Sequence, residues 1–115
     1  MKSLKLIVIA IAGFVFSANA QNKGVTKSVI NTPTVQCGMC KKKIENYVGH
    51  QEGVKSVAVD IKKKTTTVQW MNERTNIENV KTHIANAGYD ADDVLADTEA
   101  YKKLPRCCKK PEDQK

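Results

Sequence analysis

The chain has 115 residues, a net charge of +7 and four cysteines, with aromatic residues at only 5%. That length carries one small domain. Aromatics so scarce, and not interleaved with the lysines, argue against a nucleic-acid-binding surface; no Ser/His/Asp group, phosphate loop or paired-carboxylate motif points to an enzyme.

Residues 1–20 read as a secretory signal. Lys2 and Lys5 form a basic start, residues 6–16 an apolar stretch, and Ala18-Asn19-Ala20 a small-x-small cleavage site. The apolar run falls short of the roughly 20 residues that span a bilayer. No cysteine follows it to carry a lipid anchor. The expected mature chain is residues 21–115, exported to the periplasm or the extracellular space, with no stable membrane insertion after cleavage.

Residues 25–31 are rich in β formers and lead to Thr32-Pro33, where Pro33 closes the strand. Cys37-Gly38-Met39-Cys40 follows and opens a helix over residues 39–49. Its apolar positions Cys40, Ile44, Tyr47 and Val48 define one buried face, and Gly49 is its expected terminator. This spacing puts Cys40 on the buried edge and leaves Cys37 more exposed in the loop. Two thiols so placed can share one soft metal ion or oxidise to each other, and the helix N-terminus lowers thiol pKa. The lysines at 41–43 adjoin the pair, so Lys41 is expected to support the thiolate and to steer an acidic partner.

Val57, Val59 and Ile61 alternate with Ala58 and Asp60 as in a strand, the lysines at 62–64 make a charged turn, and Thr66, Val68 and Trp70 complete a hairpin. Thr75-Asn76-Ile77-Glu78 has capping-box spacing for a second helix with Ile77, Val80, Ile84 and Ala87 inside and Gly88 at its end. Residues 92–96 read as a last strand. The order β-α-β-β-α-β predicts an α+β, ferredoxin-like sandwich: a four-stranded antiparallel sheet with two helices on one face. The domain is expected over residues 21–96, with a tail over 97–115 in which a short helix ends at Pro105. Cys107-Cys108 in that tail is either an idle or oxidised pair or an accessory metal or redox site. A vicinal disulfide is strained, whereas about ten extended residues reach roughly 33 Å, enough to return to the first pair. His50 and His83 read as surface residues, and Asp90, Asp92 and Asp93 as a solvated loop edge.

Three blocks carry a resemblance: residues 35–40 around the cysteine pair, residues 53–60, and Ala87-Gly88-Tyr89-Asp90-Ala91. In order and spacing they resemble the heavy-metal-associated domain family, which includes soluble copper chaperones, the N-terminal domains of metal-transporting ATPases and periplasmic mercury-binding proteins. The resemblance implies that Cys37 and Cys40 are metal thiolates and that Tyr89 faces the site from the last loop. Val35 stands where the family usually has Met, an apolar replacement that reshapes loop packing. Gln36 stands where members selective for zinc, cadmium or lead often carry Asp. Loss of that oxygen ligand favours two-coordinate soft ions, Cu(I) first and Hg(II) second, with Zn(II) the third candidate.

The expected function is a non-enzymatic, exported metallochaperone or scavenger that passes its ion by stepwise thiolate exchange, Cys37 meeting the partner's sulfur first. The expected partner is a metal transporter or another thiol-bearing protein with an acidic docking face. The rival is a thiol–disulfide oxidoreductase of the cell envelope. That frame wants a proline loop beside the thiols, yet Pro33 precedes the pair and Pro105 and Pro111 lie in the tail. A disulfide-stapled structural module is the third class, ill matched to thiols one turn apart.

Overall fold

Three seven-residue segments with period-two patterning build the sheet: β1 (Val25–Asn31), β2 (Val54–Asp60) and β3 (Thr65–Met71). The computed structural model describes residues 24–114, so the signal expected over residues 1–20 lies outside the described residues. All pairings are antiparallel in the order β1-β3-β2, with Ser28 and Val57 flanking Val68, and Ile30 and Val59 flanking Thr66. Alternation turns Ile30, Val59, Thr66 and Val68 to the buried face. Lys64 turns the β2–β3 hairpin at a positive φ of 56°. Its ammonium reaches back to donate to the Val35 carbonyl at 2.5 Å, tying the hairpin to the cysteine loop.

Two helices cover that face. α1 (Gly38–Gly49) lies against β2 and the second helix, α2 (Ile77–Asn86). α1 buries Cys40, Ile44 and Val48, one residue per turn of a narrow stripe. Tyr47 is exposed, a correction to the wider face expected for this helix. Gly49 ends α1 without a left-handed residue, and His50 caps it in the right-handed region. α2 buries Val80, Ile84 and Ala85. Its N-cap is Asn76, whose side chain accepts from the Asn79 N–H at 2.8 Å, rather than the Thr75 of a capping box. Thr75 is buried against Gly53, which has a φ of +83° and no room for a Cβ.

The expected fourth strand is absent among the described residues: the sheet has three strands, not four. Asp92 is the physical reason. It turns the chain at a φ of 52°, donates its N–H to the Asn31 carbonyl at 2.8 Å, and accepts the Asn31 N–H on its own carboxylate at 2.8 Å. One residue thus takes both outward groups at the end of β1, and a tight Ala91–Val94 bridge replaces a ladder. The Asp90 carboxylate fixes the returning chain through the Ala96 N–H at 2.8 Å.

The tail folds back onto the domain. Asp97 caps a short helix, α3 (Thr98–Lys102), and single 3-10 turns follow at Arg106–Cys108 and Pro111–Asp113. Leu104 is buried over Gly88, whose φ of +107° and close neighbour (3.1 Å from an ideal Cβ) both exclude a side chain. Gly88→Ala should therefore cost about 1–3 kcal/mol through backbone strain, and also lift Leu104. Urea unfolding would check the first effect, and limited proteolysis after α3 the second.

Candidate metal centre

The cysteine loop is held by its neighbours before any ion is considered. Thr32 and Thr34 are buried; the Thr32 hydroxyl meets that of Thr66 at 3.0 Å, and the Thr34 hydroxyl accepts the Asp90 N–H at 3.1 Å. Val35 is buried beneath the loop while its carbonyl takes the Lys64 ammonium. Cys37 is the N-cap of α1, extended at φ −151°, and its carbonyl accepts from Cys40 N–H at 3.0 Å and Lys41 N–H at 3.2 Å.

This geometry brings the sulfurs together. Cys37 Sγ and Cys40 Sγ are 3.6 Å apart, with Cys40 fully buried and Cys37 half-buried. The tail adds two more. Cys107 Sγ lies 3.4 Å from Cys37 Sγ and 3.5 Å from Met39 Sδ, while Cys108 turns inward. The sulfurs of Cys37, Cys40 and Cys108 all fall within 4.8 Å of one another, the only such grouping of His, Cys, Asp and Glu among the described residues. All four thiols are free. Neither histidine belongs to that grouping.

Partial burial pushes the Cys37 thiol up, but the N–H groups of Cys40 and Met39 and the sulfurs of Cys107 and Cys40 outweigh it and bring the pKa from 9.0 down to about 7. Those N–H groups belong to the first turn of α1, where the helix N-terminus faces the Cys37 sulfur. The lowering comes from them and from neighbouring sulfur; the Lys41 ammonium instead lies 4.0 Å from Glu45. The Cys37 contact raises Cys107, and burial raises Cys108. At pH 7 a haloacetamide should thus modify Cys37 well before Cys108, with a rate that halves near pH 7. A thiol whose folded pKa is depressed adds stability that is complete above about pH 9 and is lost as the pH falls through about 7. Mass mapping of alkylated peptides across that range checks both.

Tyr89 lies beneath the sulfurs, fully buried. Burial, then the Cys108 and Cys40 sulfurs beside it, push its phenol far above the ordinary range. The hydroxyl has no hydrogen-bond partner of full geometry among the described residues. Met39, Lys64, Thr34 and Leu104 are the residues that sequence reasoning missed. Met39 is signalled only by being a thioether inside the Cys-x-x-Cys, and Leu104 by the glycine it needs at 88.

A three-stranded antiparallel sheet under two helices, with a dithiol opening the first helix, defines a small α+β thiol-bearing domain. The chain belongs to the heavy-metal-associated domain family, whose model matches residues 29–90. The copper chaperone CopZ of Staphylococcus haemolyticus (strain JCSC1435) is 32% identical over 62 residues, 54% of this chain and 91% of that protein. A probable copper-exporting P-type ATPase of Archaeoglobus fulgidus is 27% identical over 95 residues; that match takes in 79% of this chain but only 12% of the ATPase. Among solved structures, a CopZ metallochaperone superposes with a TM-score of 0.55 at 26% identity, covering 57% of this chain and 98% of that one.

Proposed function

We propose that this protein is an exported carrier of a soft metal ion, held through Cys37 and Cys40 and passed on by thiolate exchange. The observation that carries the reading is the preorganised pair: two sulfurs 3.6 Å apart at a helix N-terminus, one buried and one accessible. Soft thiolates select soft ions, and no oxygen ligand stands beside them at Gln36, whose amide is turned to the Thr34 carbonyl at 3.1 Å. Cu(I) is the first candidate, supported by likeness to copper chaperones; Hg(II) is the second and Zn(II) the third.

Transfer needs no catalytic group. An incoming thiolate bonds to the ion, a resident sulfur leaves, and the metal keeps its oxidation state throughout. Of the pair, Cys37 is the sulfur a partner can reach, because Cys40 is sealed in the core. The partner is a transporter's metal-binding domain or another thiol protein with an acidic face, since exposed Lys41 and Lys42 and the tail's Arg106 share the sulfur-bearing end. Export rests on residues 1–20, and no helix among the described residues is long and apolar enough to cross a membrane.

Anaerobic competition of Cu(I), Hg(II) and Zn(II) for the reduced chain, with native mass spectrometry, tests the reading. Tightest one-to-one Cu(I) binding is expected. Zinc winning would sink the argument from Gln36, and insulin reduction at thioredoxin-like rates would move the protein to the oxidoreductases.

A further inference from the structure

We propose that Cys108 is a third protein ligand of the ion, so that the folded-back tail turns a two-sulfur pair into a three-thiolate pocket with Cys107 as the exchange sulfur on its open side. This rests on the metal-binding reading of Cys37 and Cys40 and goes beyond it, because the tail lies outside the family match at residues 29–90.

Spacing is the first argument. A trigonal ion with metal–sulfur bonds of about 2.3 Å separates its ligands by roughly 4 Å, and the three sulfurs here lie within 4.8 Å of one another, the Cys37–Cys40 pair at 3.6 Å. Burial is the second. Cys108 is 1% exposed in a tail otherwise rich in lysine, and it joins the same core cluster as Cys40. The third is anchoring independent of metal. Leu104 seats on Gly88, the Cys108 N–H bonds the Pro105 carbonyl at 2.9 Å, and the Tyr101 hydroxyl bridges the Lys110 N–H at 2.9 Å and the Asp113 carboxylate at 2.5 Å. A sulfur held in place beforehand loses little entropy on binding.

The buried Tyr89 hydroxyl is an independent sign of a ligand. It lies against Cys40 and Cys108 without a full hydrogen bond, and buried polar groups normally have one. Metal-bound thiolates are stronger acceptors than thiols, so an ion on these two sulfurs would strengthen the contact the hydroxyl already makes with them.

The adjacent thiols divide the work. Cys107, exposed beside Cys37 and Met39, meets an arriving ion, which then passes inward as Cys40 and Cys108 displace it. An ion first held by Cys37 and Cys107 gains bonds to Cys40 and Cys108 and loses the one to Cys107, so two metal–sulfur bonds form, one breaks and the ion goes from two sulfurs to three. Each newly bound thiol releases its proton to solvent, and no electrons are transferred.

X-ray absorption of the reduced full chain with one equivalent of Cu(I) tests this directly. The unaltered chain should show three sulfur neighbours and Cys108→Ala two, with faster metal loss to a competing chelator and affinity lower by about 10–100-fold or more. Cys108→Val keeps an apolar side chain in the buried cluster that Cys108 shares with Leu104 and should behave as Cys108→Ala does, which separates ligand loss from tail unfolding. Cys107→Ala should keep three neighbours but accept and release the ion more slowly. Two sulfurs in the unaltered chain, unchanged in both Cys108 variants, would overturn the proposal and leave the Cys37–Cys40 reading standing. No binding by the unaltered chain would remove both readings.

Discussion

Replacing Cys37 and Cys40 together by Ala should lower soft-metal affinity by several orders of magnitude while leaving a cooperatively folded apo domain. The core is made of Ile30, Ile44, Val48, Val59, Val68, Val80 and Ile84, none of which needs the ion. Truncating the buried Cys40 removes one core atom and should cost about 1 kcal/mol. Structural zinc modules behave oppositely, because there the binding energy is the folding energy. Metal titration paired with urea unfolding of the same sample separates the two cases. Loss of the far-ultraviolet helix signal in the metal-free variant would show that the sulfurs hold the fold together.

The second large effect lies one turn below the thiols. Ile44 is fully buried at the centre of α1, so Ile44→Ala should cost about 2–5 kcal/mol, a large part of the roughly 5–15 kcal/mol that stabilises such domains. Tyr47→Ala on the same helix should change stability by less than about 0.5 kcal/mol, since Tyr47 is 41% exposed. Denaturant midpoints compare them directly. Equal losses would mean that α1 is rotated and that Cys40 does not point inward.

Local patterns were legible where the local force is also the deciding one. The alternation of β1 and β3, the charged hairpin turn and the apolar spacing of α2 all became the elements they resemble. Tyr47 misled because a helix of apolar and lysine residues offers an aromatic at the right period whether or not the core has room for it. Thr75 and Asn76 are both good caps, and only the packing of Thr75 on Gly53 decides between them. The last strand failed for a similar reason. Residues 92–96 contain Val94 and Leu95, but a carboxylate at 92 competes with backbone carbonyls for the Asn31 N–H and wins at short range.

The candidate site divides along the same line. Helix-opening thiols are visible as a spacing of three, whereas the meeting of residues 37 and 107 depends on one leucine finding one glycine. The sequence shows a tail long enough to return and a dithiol upon it, but not where the tail docks. The buried phenol of Tyr89 was readable as facing the sulfurs only through family resemblance; its lack of a partner required coordinates.

By taking both outward groups of Asn31, Asp92 also closes one end of β1 to foreign chains. Exposed sheet edges template cross-β stacking, and β1 shows Val25 and Val29 to solvent with only Lys27 between them on that face. A second molecule that zipped onto this edge from the Asn31 end would grow beside the cysteine loop and entomb the thiols in a fibril. With that end shut, any stacking must start near Gly24, far along the strand from the sulfurs. The residue that removed a fourth strand is thus a gatekeeper, one that keeps edge-to-edge stacking away from the sulfurs.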